Sequence, residues 1–103
     1  MIHVKVEKSH AKYKKIAVLG HALYDDYGKD IVCASVSSIV ITTVNAILEI
    51  DRDAVIYKEE KDILTIELLK QDEIIIKLIN NMINLLKELS NNYPKNIKVR
   101  EDE

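Results

Sequence analysis

The sequence predicts a two-layer α+β sandwich in the order ββαββαβ, in which two helices cover one face of a mostly antiparallel sheet. Short segments alternate apolar and polar residues, as strands with one buried face do. Two longer segments repeat their apolar residues every three or four positions, which is typical of amphipathic helices. Such helices need an apolar partner and the sheet offers one face, so the two layers follow.

Five strands are predicted, and four of them form two hairpins. Ile2, Val4 and Val6 alternate with polar residues, and a short polar turn leads to the next strand, which favours antiparallel pairing. The charged segment 59–62 forms the turn of the second hairpin. The acidic tail 101–103 is expected to fray. The predicted strands are 2–7, 13–21, 54–58, 63–69 and 96–100.

The two helices are predicted from the spacing of their residues. The segment 31–50 is rich in Ile, Val and Thr, which favour strands, but its polar residues recur every three or four positions. These polar residues are Ser35, Ser38, Thr42, Asn45 and Glu49. We therefore expect a buried helix with Asp30 as its N-cap. The second helix is predicted over 72–92, with Asp72 as a cap and Tyr93–Pro94 as its end.

Length and composition indicate a single domain, residues 1–103, with a formal net charge of −2 and a pI near 5.9. This balance argues against direct nucleic-acid binding through phosphate neutralisation. No uninterrupted apolar run of about 18 residues is present, so no membrane span is expected. No signal peptide is expected either. The single cysteine cannot form an internal disulfide, which fits a cytoplasmic setting. We expect no cofactor and no metal.

The candidate site is the junction between the second strand and the first helix, residues 20–37. It holds the one cysteine, Cys33, both glycines and one of three histidines. If Asp30 caps the helix, the N–H groups of residues 31–33 lack acceptors and would stabilise a thiolate or an oxyanion. The pKa of the Cys33 thiol is then expected to lie below its ordinary value of about 8.5. The other interpretation is that Cys33 is a small buried hydrophobe.

His21 ends the preceding strand, and the loop 22–29 returns the chain to the helix. An imidazole near Cys33 would accept the thiol proton and later donate it to the leaving amine. The junction therefore favours a cysteine peptidase built on His21 and Cys33, although a strand-end histidine without a partner has the same spacing. Asp30 has two compatible roles, capping the helix and orienting His21.

Five further residues are candidates for supporting roles. Ser37 lies one turn after the cysteine on the same helix face, where it bonds either within the site or back to its own helix. Gly20 permits close backbone approach, and Gly28 permits a strained turn in the loop. Tyr24 and Tyr27 either line a peptide groove or are ordinary exposed loop tyrosines.

The segments Gly20-His21-Ala22 and Gly28-Lys29-Asp30-Ile31-Val32-Cys33-Ala34-Ser35-Val36-Ser37 closely resemble the signature of the ribosomal-processing cysteine protease family (Prp). The combined pattern is far more specific than an isolated Cys–His pair. No position of the signature departs from it, and Ser35 stands where a small residue is expected. The predicted ββαββαβ order also fits that family over the whole chain.

The resemblance implies that His21 and Cys33 form the catalytic dyad, and that Asp30, Ser37, Gly20 and Gly28 match further positions of the signature. It also implies a substrate, the short N-terminal extension of a large-subunit ribosomal protein (the L27 type). Relatives of this family form homodimers, and the loop between His21 and Cys33 is expected to move over the substrate. These expectations come from the resemblance alone.

Two other interpretations are open. The first is a non-catalytic binding module that docks on ribosome-assembly factors through a sheet edge or the loop 22–29, which predicts a thiol of ordinary reactivity. The second is a metal site formed by His21 with Asp25 or Asp26, for which a spacing inside a loop specifies no coordination geometry.

Overall fold

The computed structural model describes the backbone of residues 1–20 and 27–103, and the side chains of residues 1–20 and 31–103. Its elements follow the predicted order ββαββαβ. They are β1 (Ile2–Ser9), β2 (Lys12–Leu19), α1 (Tyr27–Ile50), β3 (Val55–Glu60), β4 (Ile63–Leu68), α2 (Glu73–Asn92) and β5 (Ile97–Asp102).

The five strands form one sheet in the order β3-β4-β2-β1-β5. The pairs β1–β2, β2–β4 and β3–β4 are antiparallel, whereas β1 and β5 are parallel. The parallel pair arises because α2 carries the chain back across the sheet before β5 begins, and a crossover of this kind joins parallel strands. The mostly antiparallel sheet of the prediction is confirmed.

Both helices pack on the same face of the sheet. The alternation in β1 places Ile2, Val4 and Val6 in the core and leaves the residues between them exposed. Each buried aliphatic side chain of this size contributes on the order of 1.5–3 kcal/mol to folding. The helical layer completes the core with Val32, Val36, Val40, Val44 and Ile47 of α1 and with Ile75, Ile79, Met82, Ile83 and Leu86 of α2.

The helix α1 forms despite its many β-branched residues because one stripe of them is buried against the sheet. Its part Ile31–Ile50 has a mean hydropathy of 2.1 and is long and apolar enough to span a membrane by length and composition, where the sequence predicted no such segment. A core helix of a soluble domain meets the same criterion. Several apolar residues of this helix, such as Ile31, Ile41 and Ile50, are exposed.

The prediction that the C-terminal tail frays is wrong. Glu101 and Asp102 belong to β5, where they pair with Val6 and Glu7 of β1. The Nζ of Lys87 donates to the Glu101 carboxylate at 2.9 Å. This charged hydrogen bond lowers the pKa of Glu101 and holds the end of the strand against α2.

The second helix ends as predicted. Asp72 occupies the N-cap position and Tyr93 the C-cap position of α2. The Asp72 side chain makes no capping hydrogen bond, while its backbone carbonyl accepts from the N–H of Ile76 at 2.9 Å. The start of α2 is therefore capped by a backbone hydrogen bond and by no side-chain hydrogen bond from Asp72.

Candidate active site

The helix that carries Cys33 begins four residues earlier than predicted, at Tyr27. Asp30 therefore lies inside its first turn, and the prediction that Asp30 is the N-cap is wrong. Gly28 did not interrupt the helix, because one glycine in a helix costs only about 1 kcal/mol relative to alanine. The packing of the apolar stripe that starts at Val32 outweighs this cost.

This earlier start also corrects the predicted oxyanion site. In a continuous α-helix the N–H groups of residues 31–33 donate to the carbonyl groups of residues 27–29. They are therefore not the unpaired amides of a helix start. Cys33 lies six residues after Tyr27, beyond the first turn, where the influence of the helix dipole falls off.

The predicted loop 22–29 is shorter than expected. Its last three residues, 27–29, are helical, so Tyr27 is the first residue of α1 rather than part of a loop, and Gly28 lies within the helix. Tyr24 and the rest of the predicted loop lie outside the described residues.

Cys33 is half-buried and packs against the hydrophobic core beside the fully buried Val32 and Val36. Ser37 follows one turn later and is also half-buried. Two other hydroxyls of α1 bond back to their own helix, since Ser35 Oγ donates to the Ile31 carbonyl at 3.0 Å and Thr43 does the same with Ile39. Ser37 makes no such bond to another described residue.

The topology places Cys33 at the end of the sheet where β2 terminates. The C-terminal end of α1 leads through a short turn into Val55, the first residue of β3. Val55 pairs with Leu68 at the far end of β4, while Leu19 pairs with Ile63 at its near end. Since α1 runs from the end of β2 toward the start of β3, its first turns, with Cys33, lie at the Leu19 end.

Gly20 is fixed at this end of the sheet. Its φ angle is 79°, in the left-handed region that glycine adopts without a steric penalty. Its N–H donates to the carbonyl oxygen of Asp62 at 3.0 Å. The chain therefore leaves β2 toward position 21 from an anchored point.

His21 lies outside the described residues, whereas the positions of the other two histidines are clear. His10 belongs to the β1–β2 turn, at the opposite end of the sheet from Gly20. His3 pairs with Leu19, at the end of the sheet where the first turns of α1 lie. It alternates with buried residues, however, and so lies on the face opposite the helices. The sheet therefore separates His3 from Cys33.

The two flanks of α1 face different neighbours. Ser35 and Ile39 line a groove of about 520 Å³ against Leu85 and Leu89 of α2. Residues two apart in a helix point about 200° apart. The flank that carries Cys33 and Ser37 therefore points away from α2.

That outer flank faces the β3 edge of the sheet. The helix α1 contacts β3, while α2 contacts β5 at the other edge. On β3, Tyr57 pairs with the buried Ile66, so its side chain lies on the helical face, and Glu59 two residues later lies on the same face. The helical face of β3 therefore lies beside the outer flank of α1.

Tyr57 and Glu59 interact with each other on this face of β3. The Tyr57 hydroxyl donates to the Glu59 carboxylate at 3.4 Å. Burial raises the pKa of Tyr57, and the negative charge of Glu59 raises it further. Neither residue is among the site residues that the sequence predicted. Their alternation indicated a strand face, but only the order of the strands places that face beside the outer flank of α1.

No group of three or more His, Cys, Asp or Glu side chains able to hold a metal ion occurs in the described part of the chain. The alternative site formed by His21 with Asp25 or Asp26 lies outside that part.

Comparison with known sequences identifies the relatives of this chain. The sequence profile of the family described as cysteine protease Prp matches residues 1–98. The ribosomal processing cysteine protease Prp of Mycoplasma pneumoniae is 31% identical over 94 residues, covering 89% of this chain and 88% of the relative. The protein of the same name from Bacillus subtilis is 30% identical over 110 aligned positions, covering 96% of each chain.

Solved structures share the fold. The essential ribosomal processing protease Prp of S. aureus, in complex with a substrate peptide, superposes with a TM-score of 0.92 at 22% identity and covers 99% of this chain and 100% of that one. The SMU.848 protein of Streptococcus mutans gives a TM-score of 0.89 at 26% identity, covering 98% and 93%. Together with the sequence relatives, these results show that the chain belongs to the cysteine protease Prp family, the ribosomal processing cysteine proteases.

Proposed function

We propose that this cysteine protease removes the N-terminal extension of a large-subunit ribosomal protein (L27 type), with Cys33 as the nucleophile and His21 as the general acid–base. One observation carries the assignment of Cys33. A cysteine protease requires a thiolate nucleophile, and the sequence contains a single cysteine. That cysteine is half-buried and packs against the core on the helical face of the sheet.

The assignment of His21 rests on its position in the sequence and on elimination. The sequence has three histidines. His10 lies at the other end of the sheet and His3 on the opposite face, so neither is placed to reach Cys33. His21 directly follows Gly20, which is anchored at the end where the first turns of α1 begin.

The proposed reaction has two stages. The imidazole of His21 takes the thiol proton, the Cys33 sulfur attacks the scissile carbonyl carbon, and the tetrahedral oxyanion collapses as the imidazolium protonates the leaving amine. The thioester is then attacked by a water molecule whose proton goes to His21. Collapse of the second intermediate breaks the C–S bond and releases the carboxylic acid, which loses its proton to solvent, while the imidazolium returns its proton to the thiolate.

Supporting residues are assigned within this scheme. Ser37 shares the outer flank of α1 with Cys33 and offers its hydroxyl to the substrate or to the oxyanion. Asp30, three residues before Cys33 in α1, is proposed to orient His21. Gly28 and Tyr24 keep their predicted supporting roles near the substrate.

The substrate, the oligomeric state and the cellular location are proposed in addition to the family assignment. The curated relatives are named ribosomal processing proteases, and the resemblance implies the L27-type extension as the segment removed. The proposal also includes a homodimer in the cytoplasm, with no cofactor and no direct contact with nucleic acid or membrane. The alternative of a non-catalytic binding module has no comparable support, because both curated relatives are named proteases.

The test is incubation of the purified protein with the extended ribosomal precursor, followed by intact-mass analysis. The wild type should release the extension at one position. Cys33→Ala should lower the rate by about 10³-fold or more, since the nucleophile is lost. Full cleavage by Cys33→Ala would overturn the proposal.

A matched pair of histidine variants tests the base. His21→Ala should lose most activity, while His3→Ala should keep it. The pH dependence of Cys33 alkylation should also move toward that of an ordinary thiol in His21→Ala, because the imidazole no longer accepts the thiol proton. Equal activity of both histidine variants would remove His21 from the dyad.

A further inference from the structure

The strand β3 has an edge that pairs with no other strand among residues 1–20 and 27–103. Just before the strand begins, the Ala54 carbonyl accepts from the N–H of Leu69 at 2.8 Å. In an antiparallel ladder, residue pairs alternate between those that exchange hydrogen bonds and those that do not. Continuing this alternation along the register of the β3–β4 pair, Ile56 and Lys58 point their backbone groups toward β4.

The residues between them point the other way. The N–H and C=O groups of Tyr57 and Glu59 face the open edge, while the side chains of both residues lie on the helical face. An extended peptide placed along this edge would meet backbone donors and acceptors at the spacing of a strand. Its side chains on the helical side would lie beside Tyr57 and Glu59, next to the outer flank of α1.

The open edge of β3 also runs toward the level of Cys33. Since α1 connects through a short turn to the start of β3, its last residues lie level with Val55. The helix rises about 1.5 Å per residue and the strand about 3.3 Å, so the six-residue strand spans roughly twelve residues of helix. The Glu60 end of β3 is then level with about Ser37, and Cys33 lies about 6 Å further along the same direction.

The other edge of the sheet lacks this relation. The strand β5 lies four strand spacings from β3, about 19 Å, and is packed by α2 rather than α1. The Ile97 carbonyl of β5 already accepts a hydrogen bond from Ser90 Oγ at 3.0 Å. A peptide on that edge would not pass the cysteine.

We propose that the substrate segment on one side of the scissile bond binds as an added strand along β3, hydrogen-bonded to the outward N–H and C=O groups of Tyr57 and Glu59. This inference rests on the proposed peptidase function and adds the surface that holds the substrate. Backbone pairing supplies affinity with little dependence on sequence. The Glu59 carboxylate favours a basic side chain at the position beside it.

The first experiment compares Glu59→Pro with Glu59→Ala, using steady-state cleavage of a synthetic peptide that spans the junction between the extension and the mature ribosomal protein. Both variants lose the carboxylate, but only proline also loses the outward N–H, and an edge strand tolerates proline at such a position. The KM of Glu59→Pro should be about 5- to 10-fold higher than that of Glu59→Ala, because one hydrogen bond to the substrate is lost. The kcat values of the two variants should agree within about twofold.

The opposite edge provides the control. The Ile2 N–H donates to the Asn96 carbonyl and Ile2 pairs with Ile97, so the N–H of Val99 faces outward on β5. Val99→Pro and Val99→Ala should therefore show the same KM. Equal KM values for the two Glu59 variants would overturn the docking site while leaving the peptidase intact. A loss of dimer with unchanged peptide affinity would overturn it as well, since the edge would then join two subunits.

A second measurement uses the wild-type protein and does not depend on variants that fold. Peptides carrying a single N-methylated amide at successive positions should lose affinity at every second position on one side of the scissile bond, because alternate amides of an added strand face β3. Uniform effects, or none, would overturn the added strand. If the wild type cleaves no form of the precursor, the proposed function itself fails.

Discussion

Gly20 donates its N–H to the carbonyl oxygen of Asp62 at 3.0 Å, and this bond ties the end of β2 to the turn between β3 and β4. Gly20 makes this bond with a φ of 79°, in the left-handed region that favours glycine. The residue that follows is the proposed acid–base, His21. The backbone geometry at Gly20 thus fixes the direction in which the chain leaves the sheet toward the site.

The two glycines are predicted to respond to alanine with opposite signs. Gly20→Ala places a Cβ in the left-handed region and should lower the free energy of unfolding by about 1–2 kcal/mol, with a loss of cleavage. Gly28→Ala lies within α1 and should raise the free energy of unfolding by up to about 1 kcal/mol. Urea unfolding measures both, and equal destabilisation would contradict the positions of the two glycines.

The hydroxyl of Ser37 is predicted to act on the reaction rather than on folding. Ser37→Ala should lower kcat/KM about tenfold, the value of one hydrogen bond to a reacting group, with little change in Tm. Ser35→Ala is the matched control, because Ser35 bonds back to Ile31 on the other flank of α1. A similar kcat/KM for the two variants would leave Ser37 without a role in the site.

The ion pair between Asp51 and Lys70 is predicted to stabilise the fold only where both groups are charged. Lys70 Nζ lies 2.8 Å from Asp51 Oδ2. The hydrogen bond that Lys70 donates lowers the pKa of Asp51, and the same bond raises the pKa of Lys70. The Asp51 contribution is therefore present above its ordinary pKa of 3.8 and is lost as pH falls through the lowered value.

The Lys70 contribution has the opposite dependence, being complete below pH 10.5 and lost as pH rises through the raised value. Thermal melts of wild type and Asp51→Asn should thus differ near neutral pH and converge in strong acid. A constant difference in Tm across the whole acid range would show that Asp51 acts through packing instead.

The hydroxyl of Tyr13 is predicted to anchor the first hairpin to α2. It donates to Asn80 Oδ1 at 2.7 Å. Tyr13→Phe should lower the free energy of unfolding by about 1 kcal/mol, because Asn80 loses its partner. Tyr93→Phe serves as the control, since the Tyr93 hydroxyl bonds to no other residue in the described ranges. Denaturant titration should give a near-zero change for Tyr93→Phe, and an equal change in both would refute the role of the bond.

The strands and their buried faces were predictable because alternation is a local property of the sequence. The start of α1 was not. Asp30 and Gly28 are both residues that favour helix boundaries, and the apolar stripe beginning at Val32 outweighed that preference. The prediction that the tail frays was wrong for a similar reason. Glu101 is held in place by a hydrogen bond from Lys87, which belongs to a different element.

The candidate site was predictable only in part. Its one cysteine and its sequence signature identified the family, as the sequence relatives confirm. The roles of His21 and Cys33 stay predictions. Tyr57 and Glu59 could not be associated with Cys33, because no local pattern says that β3 is the outermost strand on that side of the sheet.

The parallel pairing of β1 with β5 has a consequence for biosynthesis. Ile2 and Ile97 are neighbours in the sheet although almost the entire chain separates them. Because β1 leaves the ribosome before β5, its second edge stays unpaired until β5 has been made. Closure of so long a loop is slow compared with hairpin formation. During translation one edge of β1 thus stays unpaired, with its backbone N–H and C=O groups exposed, until residues 97–102 emerge.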